Sequence, residues 1–264
     1  MPMQTNLNID GKNYALNWEI FFDLSLPLKE NAENPNCYYA DEPKFEVIRF
    51  GESFIGSVRE GGSCNYVRVS LTPHGNGTHT ECYGHVSADN FSINEALSKH
   101  HFSALLLSVQ PQKLTNPPRF SYYDENDLLI SLEDLSPLLQ FPPTEALIIR
   151  TLPNQEAKKT AHYSGKNPPY FAPEVGTFLR ERGILHFLCD LPSVDRESDG
   201  GALAFHKNFW HYPEAVRKEA SITELIFVPD NVPDGLYLLN LQTPPLQIDA
   251  VPSRPVIFPL KEVV

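Results

Sequence analysis

Apolar and polar positions along this 264-residue chain fall into short runs cut by 24 prolines and 14 glycines. Several of those runs have the two-residue period of strands. Residues 66–71 (Tyr66, Val67, Arg68, Val69, Ser70, Leu71) alternate, which predicts a half-buried strand delivering its C-terminal end to a sheet edge. Residues 45–50, ending at Gly51, mix aromatic and β-branched side chains and predict a strand that pairs with 66–71 in a hairpin-like layer. Residues 23–28 alternate briefly and stop at Pro27, as an edge strand does. Ala104–Val109, Ala146–Thr151 and Ile184–Cys189 are instead almost continuously apolar, the pattern of strands covered on both faces. Further strands are predicted over 225–228, 236–241 and 255–258.

The helical signals are shorter. Ser92 with Glu95 three positions on is a capping box, and Ser131 with Asp134 marks another short helix. Over 173–182, Pro173 stands at a first helical position, Val175, Phe178 and Leu179 share a face, and Gly183 is a natural stop. Pro213 begins a further helical reading through Ala220. Polar stretches over 29–41, 110–123 and 153–167 read as loops. Helix followed by strand, repeated, predicts an α/β layer architecture with at least part of a mixed sheet parallel, in one domain spanning 1–264.

Composition narrows the function. The net charge of −12 and the lack of any Lys/Arg cluster argue against a nucleic-acid backbone or an anionic membrane surface, and favour a small-molecule substrate. No apolar run reaches membrane-spanning length, and the N-terminus has neither a basic nor an apolar segment. The four cysteines lack paired spacing, so reduced thiols in a cytoplasmic protein are expected.

Chemistry concentrates in residues 74–85 (HGNGTHTECYGH), where three histidines and a glutamate crowd a glycine-interrupted segment. In an extended chain His79 and Glu81 share a face, and imidazole with carboxylate is a ligand set for a first-row metal. Farther on, His206 follows a polar glycine-containing loop. Glu224 stands at the head of the apolar run 225–228, where a buried carboxylate needs a partner such as a metal or an arginine.

Together these residues resemble the cyclase family of metal-dependent hydrolases, which includes kynurenine formamidases and isatin hydrolases. Its signature is H-x-G-T-H-x-D-x-P-x-H. Gly77, Thr78 and His79 match G-T-H, Glu81 replaces the aspartate, His85 matches the last histidine, and Tyr83 stands at the proline. Asp23–Leu28 is similar to the family's opening D-L-S segment, and Cys189–Asp195 looks like its G-I-D-x-x-S-x-D stretch. Residues 222–225 resemble the segment with its late glutamate. The resemblance implies a swivelling β/β/α fold, commonly a homodimer or tetramer. It also implies amide hydrolysis of a small aryl formamide or cyclic amide of the N-formylkynurenine type, with ring or lactone hydrolysis, or a non-catalytic binding role, as alternatives. It assigns His79, Glu81, His206 and Glu224 to Zn²⁺ or Mn²⁺, and His85 to proton transfer. The signature's first histidine falls on Gly75, with His74 one place out of register. The resemblance therefore implies one ion rather than two, and a one-residue bulge at Gly75 and Gly77 would return His74 to the site.

Overall fold

The computed structural model describes residues 4–30, 33–114 and 120–263. Residues 31–32 of the 29–41 loop, 115–119 of the 110–123 loop, Met1–Met3 and Val264 lie outside them. Eleven strands make up one sheet: β1 (Gln4–Ile9), β2 (Lys12–Asn17), β3 (Phe22–Asp23), β4 (His79–Glu81), β5 (His101–Val109), β6 (Ala146–Thr151), β7 (His186–Cys189), β8 (Ser221–Glu224), β9 (Gly235–Asn240), β10 (Ala250–Pro252) and β11 (Val256–Glu262). Their spatial order is β1-β2-β11-β9-β5-β6-β7-β8-β4-β10, with β3 also on β11.

The centre, β5 to β8, is parallel, and the strands on both flanks are antiparallel. This is the expected mixed α/β sheet. The apolar runs at 104–109, 146–151 and 184–189 form its middle because alternate residues feed two cores. Leu105, Leu107, Leu147, Ile149 and Phe187 enter one. Ala104, Leu106, Ile148 and Leu188 enter the other. Each fully buried Leu or Ile contributes about 1.5–3 kcal/mol, so most of the fold's driving force sits here. The first core is covered by α3 (Pro173–Glu181) and α4 (Ala204–Trp210), which pack on each other. Two shorter helices, α1 (Pro73–Asn76) and α2 (Ile93–Ala96), lie between strands, and α2 carries the predicted Ser92/Glu95 capping box.

Several expectations need correction. Residues 67–70 do pair with 44–47, but this two-stranded layer stands off the main sheet and all four residues of Val67–Ser70 are exposed. Of the 23–28 segment only Asp23 is strand, as the end of Phe22–Asp23. Leu24 and Leu26 continue as buried irregular chain, tied by Leu24 N to Pro255 O and Leu26 N to Thr78 Oγ1. Ser131 and Asp134 form a hydrogen-bonded turn, and the helical turn begins later, at Ser136.

No helix forms over 213–220. The helix is α4, upstream: it ends as His211 turns left-handed (φ 55°), and Arg217 caps the carbonyls of Phe209 and Ile184. The strand read at 225–228 lies four residues earlier. Glu224 closes β8, Leu225 leaves it with φ 55°, and Ile226 and Val228 are buried outside the ladder. Among the described residues no helix is long and apolar enough to cross a membrane.

Candidate metal centre

The site is built where β4 inserts antiparallel between β8 and β10. The register sets Glu224 opposite His79 and Ile222 opposite Glu81, so these side chains share one face. Thr80 and Thr223 take the other face, where their hydroxyls lie 2.8 Å apart. A one-residue slip of β4 would turn His79 and Glu81 to the wrong side, and this threonine pair opposes it. On the functional face His79 Nε2 comes within 3.3 Å of Glu224 Oε2.

Helix α4 lies over that face. Phe205 and Phe209 enter the core, which turns His206 toward β4 and places its Nε2 2.9 Å from Glu81 Oε1 and 3.8 Å from Glu224 Oε1. Asp195 starts the helix: its carboxylate accepts from the backbone N–H groups of Phe205 (2.8 Å) and His206 (3.2 Å), and lies 2.6 Å from His206 Nδ1. Asp195 thus caps the helix and orients the ring at once.

His74 reaches the site by a different route from the bulge expected of it. Residues 73–76 make a single helical turn, α1, that projects His74 forward. The turn is docked by Cys37 N to Gly75 O and by Cys37 Sγ to His74 O, both 3.1 Å. A Cβ at position 75 would collide with the Ala40 Cβ and crowd the Cys37 carbonyl, which suits glycine there. His74 Nδ1 lies 3.1 Å from Glu81 Oε2 and its Nε2 3.0 Å from Asp249 Oδ2. His85 comes from the turn after β4, with its ring 4.3 Å from that of His74 and its Nδ1 3.5 Å from Asp249 and 3.8 Å from Glu81.

The chemistry of the donors fits a cation. The Gly77 carbonyl, 2.9 Å from His79 Nδ1, can only accept, so that nitrogen is the donor, and Nε2, 3.3 Å from Glu224 Oε2, is the ring atom left to meet a proton or a metal. His79 Nε2 and Glu81 Oε2 are buried without an aligned hydrogen bond, although charged or polar atoms lie within 3.3 Å of each. A ring nitrogen this close to a carboxylate oxygen is held there by a proton or a metal between them. Two three-donor groups share Glu81: His79, Glu81 and Glu224, all buried, and His74, Glu81 and His85. With protons alone the balance is strongly ionic. Burial would raise Glu81, but the rings of His85 and His206 outweigh it and hold its carboxyl well below the usual range. Burial likewise works against charge on His206 and His74, yet the neighbouring carboxylates raise both, His74 to about 10.

All six residues singled out from the sequence, His74, His79, Glu81, His85, His206 and Glu224, therefore come together. Asp195 and Asp249 were missed. Asp195 lay in the family-like stretch 189–195 without a role, and Asp249, on the approach to β10, has no local signal. A cavity of about 320 Å³ opens beside them, lined among others by His85, His206, Glu224, Tyr38 and Arg196.

The sequence profile of the cyclase family matches residues 22–196, a span holding β3 to β7 and the whole 74–85 segment. The chain belongs to the cyclase family. Among relatives of this cyclase chain, the kynurenine formamidase of Bacillus cereus is 26% identical over 242 residues, spanning 91% of this chain and 98% of the relative. Solved structures share the fold. Isatin hydrolase A from Ralstonia solanacearum superposes with a TM-score of 0.62 at 14% identity, covering 90% of this chain and 91% of that one. A protein from Bacillus stearothermophilus described as a predicted metal-dependent hydrolase gives 0.55 at 18%, covering 90% and 98%. The swivelling β/β/α fold expected of the cyclases is thus the fold of this chain.

Proposed function

We propose that this cyclase-family protein is a metal-dependent hydrolase of small aryl amides, of the arylformamidase type. The observation that carries the proposal is a buried pair of atoms without an aligned hydrogen bond, His79 Nε2 facing the Glu224 carboxylate and Glu81 Oε2 facing the His74 ring, beside an open cavity. His79, Glu81 and Glu224 would hold a Zn²⁺ or Mn²⁺ ion with His206 alongside. A divalent cation there would supply Lewis acidity, polarising the amide carbonyl and acidifying water. One tightly held ion is proposed, because in the second donor group His74 and His85 are partly exposed and already face Asp249. The expectation of one ion from a histidine missing at position 75 does not carry over, since α1 returns His74 to the site.

His85 stands at the cavity wall within reach of a bound amide, and its task is to hand a proton to the departing nitrogen. Asp249 fixes the orientation of His85 and His74. Asp195 fixes His206, which keeps Glu81 turned toward the reacting centre. The cavity volume suits one aryl ring with a short substituent, and the apolar side of Leu203 limits water around it.

The assay is turnover of N-formylkynurenine, formanilide, isatin and a simple lactone by protein supplied with zinc or manganese. Formamide hydrolysis abolished by chelator supports the reading. Lactone or isatin turnover alone would replace the substrate class, and no turnover with no retained metal would leave a binding protein. Cytoplasmic action and a homodimeric or tetrameric state belong to the same reading. Four unpaired cysteines suit a reducing compartment, and light scattering on the purified protein measures the assembly.

A further inference from the structure

Arg196 takes no part in the hydrolytic machinery described above, yet it lines the same cavity as His85, His206 and Glu224. Its guanidinium is held rigidly from behind. Nε lies 3.0 and 3.2 Å from the two oxygens of Asp127, and Nη1 donates to the Ser198 carbonyl at 2.8 Å. Asp127 is itself fully buried and fixed by Tyr170 Oη (2.7 Å), Asn167 Nδ2 (2.9 Å) and the Asp124 backbone N–H (2.9 Å). Among the described residues no hydrogen bond reaches Nη2.

The carboxylates of the cavity wall do not compete for that group. Glu197 accepts the Gly165 N–H with both oxygens, at 2.9 and 3.0 Å. Asp199 accepts the N–H groups of Gly201 (2.8 Å) and Leu203 (2.6 Å). Glu224 faces His79 and the Val194 N–H. What remains is a pre-oriented edge of one guanidinium with two free N–H donors, the geometry that recognises a planar anion.

We propose that Arg196 anchors a carboxylate on the substrate, so that the cavity selects anionic aryl amides over neutral ones. A single free edge amid four committed carboxylates (Asp127, Glu197, Asp199 and Glu224) suits a monoanion and disfavours a phosphate dianion. The assignment deepens the arylformamidase reading by naming the substrate class, and it rests on that reading only for the identity of the bond broken.

The test compares N-formylanthranilate with formanilide on wild type, Arg196→Gln and Arg196→Lys. Lysine keeps a cation against Asp127 but has no second arm to offer, which separates anchoring from folding. Wild type is expected to prefer the anionic formamide in kcat/KM. Both variants lose about 10- to 100-fold on it, mainly through KM, and less than about threefold on formanilide. Equal losses on both substrates, a wild type without preference, or a lysine variant that retains the preference each overturn the assignment. Benzoate against benzamide in a thermal-shift titration gives a readout independent of turnover. Benzoate stabilising wild type but neither variant supports the anchor even if no formamide is hydrolysed, which would then sink only the arylformamidase reading. A benzoate shift untouched by both substitutions overturns the anchor.

Discussion

The two ends of one strand pair, β7 and β8, treat a buried histidine in opposite ways. At their leading ends His186 lies against the Phe102 ring at 3.9 Å, with Nδ1 2.9 Å from Ser221 Oγ and, among the described residues, no ion pair to a carboxylate. Burial, helped by the positive charges of Lys99 and Arg217, pushes its pKa down to about 3. At the trailing end, beyond Glu224, His206 is equally buried but faces Glu81 and Asp195, and those carboxylates raise its pKa well above the usual value. Burial alone therefore does not decide a histidine's charge. The difference follows from topology, because the C-terminal edge of parallel strands is where loops bring polar groups together, and here β4 inserts two of its own.

Changes at the trailing end should have the largest effects. Glu81→Gln keeps the shape but removes the charge shared by both donor groups, so retained metal should fall by more than about 10²-fold in affinity, with activity following. Equilibrium dialysis with elemental analysis measures this. His85→Ala should keep metal and fold while kcat falls by roughly 10²- to 10⁴-fold; wild-type turnover in that variant would remove His85 from the mechanism. Asp249→Asn should leave metal content near wild type and lower kcat by about 10- to 100-fold, the range for losing a group that orients a functional histidine.

At the leading end the effect is on stability and depends on pH. The folded pKa of His186 lies below its unfolded value of about 6.5, so the unfolded chain binds the extra proton. The stability linked to keeping His186 neutral is present above pH 6.5 and is lost as pH falls toward 3, at about 1.4 kcal/mol per pH unit. Denaturant melts of His186→Gln against wild type should converge below pH 6, and parallel curves would refute the neutral assignment. The smallest change is Ser221→Ala, which removes one hydrogen bond and should cost about 1 kcal/mol at neutral pH with activity unaltered.

The sequence disclosed the leading ends and the middle of the sheet better than the trailing ends. Residues 104–109, 146–151 and 184–189 were legible because burial on both faces leaves a nearly unbroken apolar run, although the last strand begins only at His186. The same logic misplaced β8: Ile226, Phe227 and Val228 are as apolar as a strand but pack without a ladder, while the strand itself, Ser221–Glu224, has polar residues that serve the site. Val67–Ser70 alternates like a half-buried strand, yet Val67 and Val69 are exposed, since alternation does not say whether a face is covered. Helix α4 was hidden because its cap, Asp195, lies ten residues before Phe205. The six site residues were readable through local spacing and family resemblance. Asp249, which meets His74 across 175 positions of sequence, had no such signal.

The central claim is that the trailing-end histidines and carboxylates bind a cation where the leading-end histidine excludes charge. Crystals of protein purified without chelator, with diffraction recorded at the zinc and manganese absorption edges, test it most directly. The account predicts one strong anomalous peak about 2.0–2.2 Å from His79 Nε2 and from carboxylate oxygens of Glu81 and Glu224. An empty site after zinc or manganese has been supplied, or a peak bound elsewhere with those three residues hydrogen-bonded only to one another, would contradict it.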